Sequence, residues 1–190
     1  MSELIKQFFV KPRMIGAMCP STRFLAKEIT SHIGLEKCRS VVEVGPGTGA
    51  FTKHIVKKIA PGTRFIAVEL NEKVFQVLKK RFPQVRMHNK CASDLDKILY
   101  EENISGGVEL IISGLPWAAF TSEQQEDVLS AIYASLKPNG IFTTFAYLQG
   151  MILPSAQRFK KRLEYYFSSV QKGRIVWHNI PPAFVYRCKK

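Results

Sequence analysis

Between Val41 and Ala50 the sequence reads VVEVGPGTGA. An apolar run that ends in three closely spaced glycines dictates a local shape: a buried strand breaking sharply into the first turn of a helix. No side chain in such a turn keeps a ligand away from the backbone. The ten residues fit two patterns. Read as G-x-G-x-x-A they match a dinucleotide fingerprint; read as E-x-G-x-G-x-G they point to a different ligand. The choice turns on Glu43, Pro46 and the residue that ends the next strand.

Strand and helix patterns alternate around this turn. An N-terminal helix carrying Leu4, Ile5, Phe8 and Phe9 stops at Pro12, and a second helix starts near Ser21 and buries Phe24, Leu25, Ile29 and Ile33. Strand 40–44 leads to helix 49–59 (Phe51, Ile55, Ile59), and strand 64–69 to helix 72–82 (Val74, Val77, Leu78, Phe82). Strand 85–88 precedes helix 94–102, and strand 108–113 precedes a helix whose start at Thr121 has a capping box with Gln124. The turn signal Lys137-Pro138-Asn139-Gly140 stands ahead of strand 141–147 and helix 155–167. Two further strands, 170–178 and 183–188, flank Pro181-Pro182. This alternation predicts an α/β fold: a seven-stranded, mostly parallel sheet with helices on both faces and an antiparallel hairpin at one edge. In such sheets ligands bind beyond the carboxyl ends of the strands.

Pro46 has no N–H to offer a pyrophosphate, and the carboxylate of Glu43 would repel a diphosphate but attract a cation. Glu69 ends the second strand, where an acid takes the two hydroxyls of a ribose. A ligand with a ribose, an ammonium group and no phosphate satisfies all three, and S-adenosylmethionine is such a ligand.

On these residues the sequence resembles the class I S-adenosylmethionine-dependent methyltransferases, whose fold is Rossmann-like. VVEVGPGTGAFT resembles their first motif and FIAVEL their second, and SGLPWAAF falls where they carry a substrate-side motif. The opening GAMCPSTRFLAKEI and the ending NIPPAFVYRCKK are similar to those of bacterial phospholipid N-methyltransferases, relatives of the ribosomal-RNA adenine dimethyltransferases. The resemblance implies a catalytic domain over 21–190, preceded by an amphipathic, basic segment, 1–20, that closes over the site and contacts membrane. It implies cofactor contacts from Ser21, Glu43, Gly45, Gly47, Glu69, Cys91, Ala92 and Ser113. Substrate contacts would come from Leu115, Pro116, Trp117, Arg158, Tyr186 and Arg187, with Tyr147 and Trp117 in catalytic roles.

The sequence departs from the family pattern at two positions. Cys91 stands where the family often has an acid for the adenine amine, which leaves recognition to backbone groups near Cys91 and Ala92. Asp94 is expected to cap the following helix. Gly114 replaces the Asn whose carbonyl aligns a nucleobase amine in the adenine-modifying relatives, and so favours an aliphatic amine. Trp117 either offers its face to a cationic amine or plugs the core. Tyr147 is the hydrogen-bonding or base candidate, and His178 a weaker one.

The 28 basic and 15 acidic side chains give a formal net charge of +13, which implies a polyanionic partner. An anionic membrane with its phospholipid substrate is the first expectation, and RNA the alternative. Arg158, Lys161 and Arg162 share a helix face beside the apolar Phe159, Leu163 and Tyr166, and Lys6, Lys11 and Arg13 flank the N-terminal apolar residues. Arg187 is expected either to hold a lipid phosphate or to stand solvated on an edge strand. The four cysteines form no C-x-x-C pair, so reduced thiols and no metal are expected. With no signal peptide and no apolar run near the roughly 18 residues of a span, the reading is a cytoplasmic protein, peripheral on the inner face of the membrane. The adenine-modifying relatives usually carry an extra C-terminal helical domain, for which this sequence leaves no room. The resulting expectation is methylation of the amine of phosphatidylethanolamine; the alternatives are adenine in ribosomal RNA and a small-molecule amine.

Overall fold

The structure, a computed structural model, describes residues 22–190. Its strands are β1 (Ser40–Val44), β2 (Arg64–Val68), β3 (Arg86–His88), β4 (Val108–Ser113), β5 (Leu136–Tyr147), β6 (Ser169–Lys172) and β7 (Ala183–Lys189). They form one sheet in the order β3-β2-β1-β4-β5-β7-β6. The first five run parallel, and β7 enters antiparallel between β5 and β6. The strand order reverses between β1 and β4, which makes their carboxyl ends the crevice of the fold.

Helices α1 (Arg23–Ile29), α2 (Ala50–Lys58) and α3 (Glu72–Arg81) cover one face, and α4 (Leu95–Glu101), α5 (Ser122–Ser135) and α6 (Pro154–Tyr166) the other. All five residues of β1 are buried, so its period-two alternation feeds two cores. Val42 and Val44 pack with Leu129, Ile132 and Phe159, whereas Val41 packs with Leu25, Ile29 and Ile55. The capping box at Thr121 is formed in both directions.

Several local expectations change. The strand foreseen at 170–178 stops at Lys172; beyond it only Val176 bridges to Ala183. Lys137-Pro138-Asn139-Gly140 lies inside β5, where the pairing with β4 shifts register, instead of preceding the strand. Phe24 and Val77 face outward at 40% and 63% exposure, because each lies off the apolar stripe of its short helix. Asp94 makes no capping bond; its carboxylate pairs with Lys97. The apolar stripe of α6 is core, with Phe159 and Leu163 buried. Arg162 turns inward to Glu126, Gln125 and Ser122 of α5, so it is not free to bind a phosphate.

Arg187 likewise departs from both of its expected roles. Its guanidinium binds the Glu28 carboxylate and carbonyl, each at 2.8 Å, and the Ser31 carbonyl at 3.1 Å. Arg174 takes the other carboxylate oxygen at 2.9 Å. Burial pushes the Glu28 carboxyl up, but the two arginines outweigh it and hold it below its ordinary value. A lowered carboxyl contributes stability that is complete above the ordinary carboxylate pKa and is lost as pH falls through the lowered value. Glu28→Gln leaves Arg187 without its countercharge at a site only 12% exposed, and is expected to cost about 3 kcal/mol in urea unfolding at neutral pH. The deficit should shrink as pH falls below about 4, because the carboxyl protonates first in the unfolded chain and then, as pH passes its lowered value, in the folded one.

Candidate active site

The crevice is built from loops that hold one another by backbone hydrogen bonds. Gly45 N–H donates to the Val68 carbonyl at 2.9 Å and Gly114 N–H to the Val44 carbonyl at 2.8 Å, tying the turns after β1, β2 and β4 together. Neither glycine admits a side chain. A Cβ on Gly45, whose φ is +68°, would lie 2.6 Å from Leu115 Cδ2, and one on Gly114 would lie 2.3 Å from the Gly45 carbonyl oxygen. The residue at 114 is thus fixed by backbone contact, and a side-chain acceptor there would require the loop to move.

Glu69, at the end of β2, is 4% exposed. One carboxylate oxygen accepts from Gly47 N–H at 3.2 Å and the other from Asn71 N–H at 2.9 Å. Burial raises its pKa, and these backbone donors oppose the rise. Each oxygen retains a lone pair, which suits a pair of vicinal hydroxyls. Asn89, after β3, donates to the Glu69 and Leu70 carbonyls and pins the neighbouring turn. A cleft beside Glu69 is lined by Gly45, Val68, Leu70, Cys91, Ala92 and Leu115.

Glu43 lies beneath the glycine turn and is wholly buried. Oε2 accepts from the Thr52 hydroxyl of α2 at 2.7 Å, while Oε1 has no partner among the described residues. Burial pushes the carboxyl up to about 8, with Glu69 adding to the rise. A buried acceptor left open under a turn with close backbone access fits a ligand that brings a cationic or N–H donor, and such a donor would favour the ionised form.

A second cavity of about 200 Å³ opens beyond Leu115, which lines both spaces. Pro116, Trp117, Phe145, Tyr147, Met151 and Tyr186 face it, and among the described residues no carboxylate, imidazole or cationic side chain lines it. Trp117 serves as a buried wall. Its Nε1 donates to Thr144 Oγ1 at 2.9 Å and Ser113 Oγ at 3.2 Å, and Phe159 stacks on its ring at 4.3 Å between centroids. With one face covered by Phe159 and its N–H engaged, Trp117 packs into the core while also lining the cavity. Ser113, foreseen at the cofactor, instead spends its hydroxyl on Trp117 and on Leu115 N–H. Burial pushes the Tyr186 phenol up to about 12, and its hydroxyl approaches Met151 Sδ at 3.8 Å.

Arg158 is exposed on α6 and lines neither space, and His178 is exposed with its ring against Phe24. Ser21 and the segment 1–20 lie outside the described residues. Among the described residues no group of His, Cys, Asp or Glu could hold a metal ion.

Sequence reasoning missed the short turn of helix at Leu148–Ile152, which supplies much of the second cavity, because five residues carry no legible periodicity. It also missed Gln125. This fully buried amide donates to the Trp117 and Ser155 carbonyls at 2.8 and 3.0 Å and accepts from Arg162 at 2.9 Å, joining the loop after β4 to the start of α6. A polar residue on the inner face of α5 was its one available signal.

An acid whose folded pKa is raised contributes stability that is present below its ordinary pKa and lost as pH rises through the raised value. The ligand-free wild type should therefore lose stability relative to Glu43→Gln from about pH 5 to about pH 8 and level off above. Urea midpoints of the two proteins across this range check it; parallel curves would mean that the carboxyl ionises normally.

Residues 41–140 match the family described as methyltransferase domain. The chain is similar to an ornithine lipid N-methyltransferase of Singulisphaera acidiphila, 28% identical over 96% of this chain and 92% of that protein. It is also similar to ribosomal RNA small subunit methyltransferase A of Hydrogenobaculum sp., 31% identical over 60% of this chain but only 42% of that protein's length. Among solved structures, the 1,6-didemethyltoxoflavin-N1-methyltransferase of Burkholderia thailandensis, with bound S-adenosylhomocysteine, superposes with a TM-score of 0.60 at 18% identity, covering 80% of this chain and 70% of that one. The sheet order, the glycine turn with its two buried carboxylates and the family match converge: the chain belongs to the methyltransferase domain family and is an S-adenosylmethionine-dependent methyltransferase.

Proposed function

We propose that the enzyme methylates the amine of a membrane phospholipid head group, with phosphatidylethanolamine as the acceptor. The observation that carries this reading is the second cavity. It is apolar, about 200 Å³ in volume, and shares Leu115 with the cleft beside Glu69. Among the described residues its wall carries no charged side chain to pair with an ammonium ion, so burial there favours the neutral amine that carries a free lone pair.

When bound, S-adenosylmethionine supplies an electrophilic methyl group on a sulfonium. In this reading Glu69 holds the ribose hydroxyls, Glu43 and the glycine turn receive the amino-acid end, and Cys91 and Ala92 pack against the adenine. Leu115 and Pro116 separate donor from acceptor, and Tyr147 and Tyr186 bound the acceptor space. At neutral pH the Tyr186 phenol is a hydrogen-bond donor and not a base. Orientation within a dry cavity is then the main source of acceleration.

Two further points support an aliphatic amine. The backbone contact at Gly114 excludes the side-chain acceptor that a delocalised nucleobase amine needs. The similarity that spans nearly the whole chain is to a protein named for methylating a lipid amine. RNA is the competing acceptor, since the net charge of +13 suits phosphates equally well.

Purified enzyme with labelled S-adenosylmethionine, offered phosphatidylethanolamine vesicles, ornithine-lipid vesicles and ribosomal RNA in parallel, should place label in phosphatidylethanolamine. Label confined to RNA would overturn the lipid reading. Glu69→Ala removes both hydroxyl acceptors and is expected to weaken S-adenosylmethionine binding by about 10- to 100-fold in calorimetry, with vesicle binding retained.

A further inference from the structure

We propose that the rim of the acceptor cavity is a lipid-docking surface: Ile152, Leu153, Trp177 and Ile180 enter the head-group boundary of an anionic bilayer while basic side chains around them rest on lipid phosphates. The proposal rests on the phospholipid-acceptor reading and identifies the surface through which that acceptor arrives.

Four large apolar side chains stand in water at the carboxyl end of β5. Ile152 is 81% exposed, Ile180 72%, Trp177 64% and Leu153 38%. Their segments are neighbours: Leu148 N–H donates to the Pro182 carbonyl at 2.9 Å, and Tyr147 pairs with Ala183. The loop that carries Trp177 and Ile180 is held from within. Asn179, only 2% exposed, accepts from the Thr22 N–H and hydroxyl, each at 3.1 Å, and donates to the Pro181 carbonyl at 2.7 Å. The fold therefore anchors the polar residue of this loop inward and presents its apolar neighbours outward. Exposed apolar clusters of this kind mark interaction sites, and tryptophan suits the boundary between head groups and acyl chains.

Charge selects the occupant. From Val128 to Lys190 the sequence has a single acid, Glu164, against ten lysines and arginines. Arg158, Lys161 and Lys172 are exposed in the segments that lead into the rim, and Arg23 lies over the Phe24 ring at 4.9 Å. Each basic residue near an anionic leaflet adds to attraction that salt screens. The first 21 residues carry Lys6, Lys11 and Arg13 against Glu3, so the chain's own N-terminal segment has the same sign as this surface and is the poorer electrostatic match. Ile152 and Leu153 belong to both the rim and the cavity wall, which provides an apolar path from bilayer to acceptor space.

The chain's two tryptophans allow a direct test, because Trp117 is 3% exposed and Trp177 is 64% exposed. Full-length protein should show a blue-shifted Trp177 emission, quenched by brominated acyl chains, on vesicles of phosphatidylglycerol and phosphatidylcholine in equal parts. Phosphatidylcholine alone should give neither effect. Trp177→Ser with Ile180→Ser should reduce sedimentation with the mixed vesicles by about tenfold or more. Thermal stability and turnover of a monomeric short-chain phosphatidylethanolamine should stay unchanged. Unshifted emission or undiminished sedimentation would overturn the proposal. So would a lower unfolding temperature in the double variant, which would mean that the patch packs against the chain's own residues 1–21. Vesicle binding without lipid methylation would remove the acceptor reading and leave the surface standing; methylation with Trp177 still in water would do the reverse.

Discussion

The close backbone approach of Gly45 and Gly114 is the constraint on which the site depends. Two adjacent parallel strands end in turns that touch: a Cβ on Gly114 would meet the Gly45 carbonyl oxygen, and Gly45 itself has a left-handed φ of +68°. That contact brings Leu115 to the boundary of both spaces and leaves the glycine turn open on its other side, above Glu43 and beside Glu69. A side chain at position 114 would push the β1 and β4 turns apart and with them the boundary between the two spaces. Strand pairing, glycine content and cavity partition are thus one arrangement seen at three scales.

Much of this was legible in the sequence because the signals are local. Buried parallel strands read as apolar runs, and those at 40–44 and 108–113 ended where expected. The turn after Val44 and the acid after Val68 could be placed because a glycine pattern and a strand end each carry a chemical requirement. The interior partners could not be placed. Arg187 looked like a phosphate ligand because nothing in its neighbourhood reveals Glu28, which lies 159 residues earlier and meets it only after β7 inserts beside β5. Trp117 could bind or pack, and the partners that hold it in the core, Phe159 and Thr144, are both distant in sequence. β6 stops at Lys172, and the loop beyond it is tied through Asn179 to Thr22, a partner 157 residues away that strand propensity does not reveal.

The basic charge divides into two populations. Arg162, Arg187 and Lys58 are spent inside the protein on carboxylates, carbonyls or hydroxyls. The exposed remainder includes Arg158, Lys161 and Lys172. Net charge alone therefore overstates what is available to a polyanion, and the position of the exposed share relative to the cavity mouth carries more information than its sum.

Gln125 draws these threads together. The wall that limits the acceptor space hangs from an amide that never faces it, through carbonyls at Trp117 and Ser155 and a guanidinium from the next helix. The loop after β4 and the start of α6, both of which contribute to the chamber wall, are thus held together from behind, much as a hinge pin holds a door. Substitutions behind the panelling would then alter the shape of the chamber with every residue that lines it left as it was.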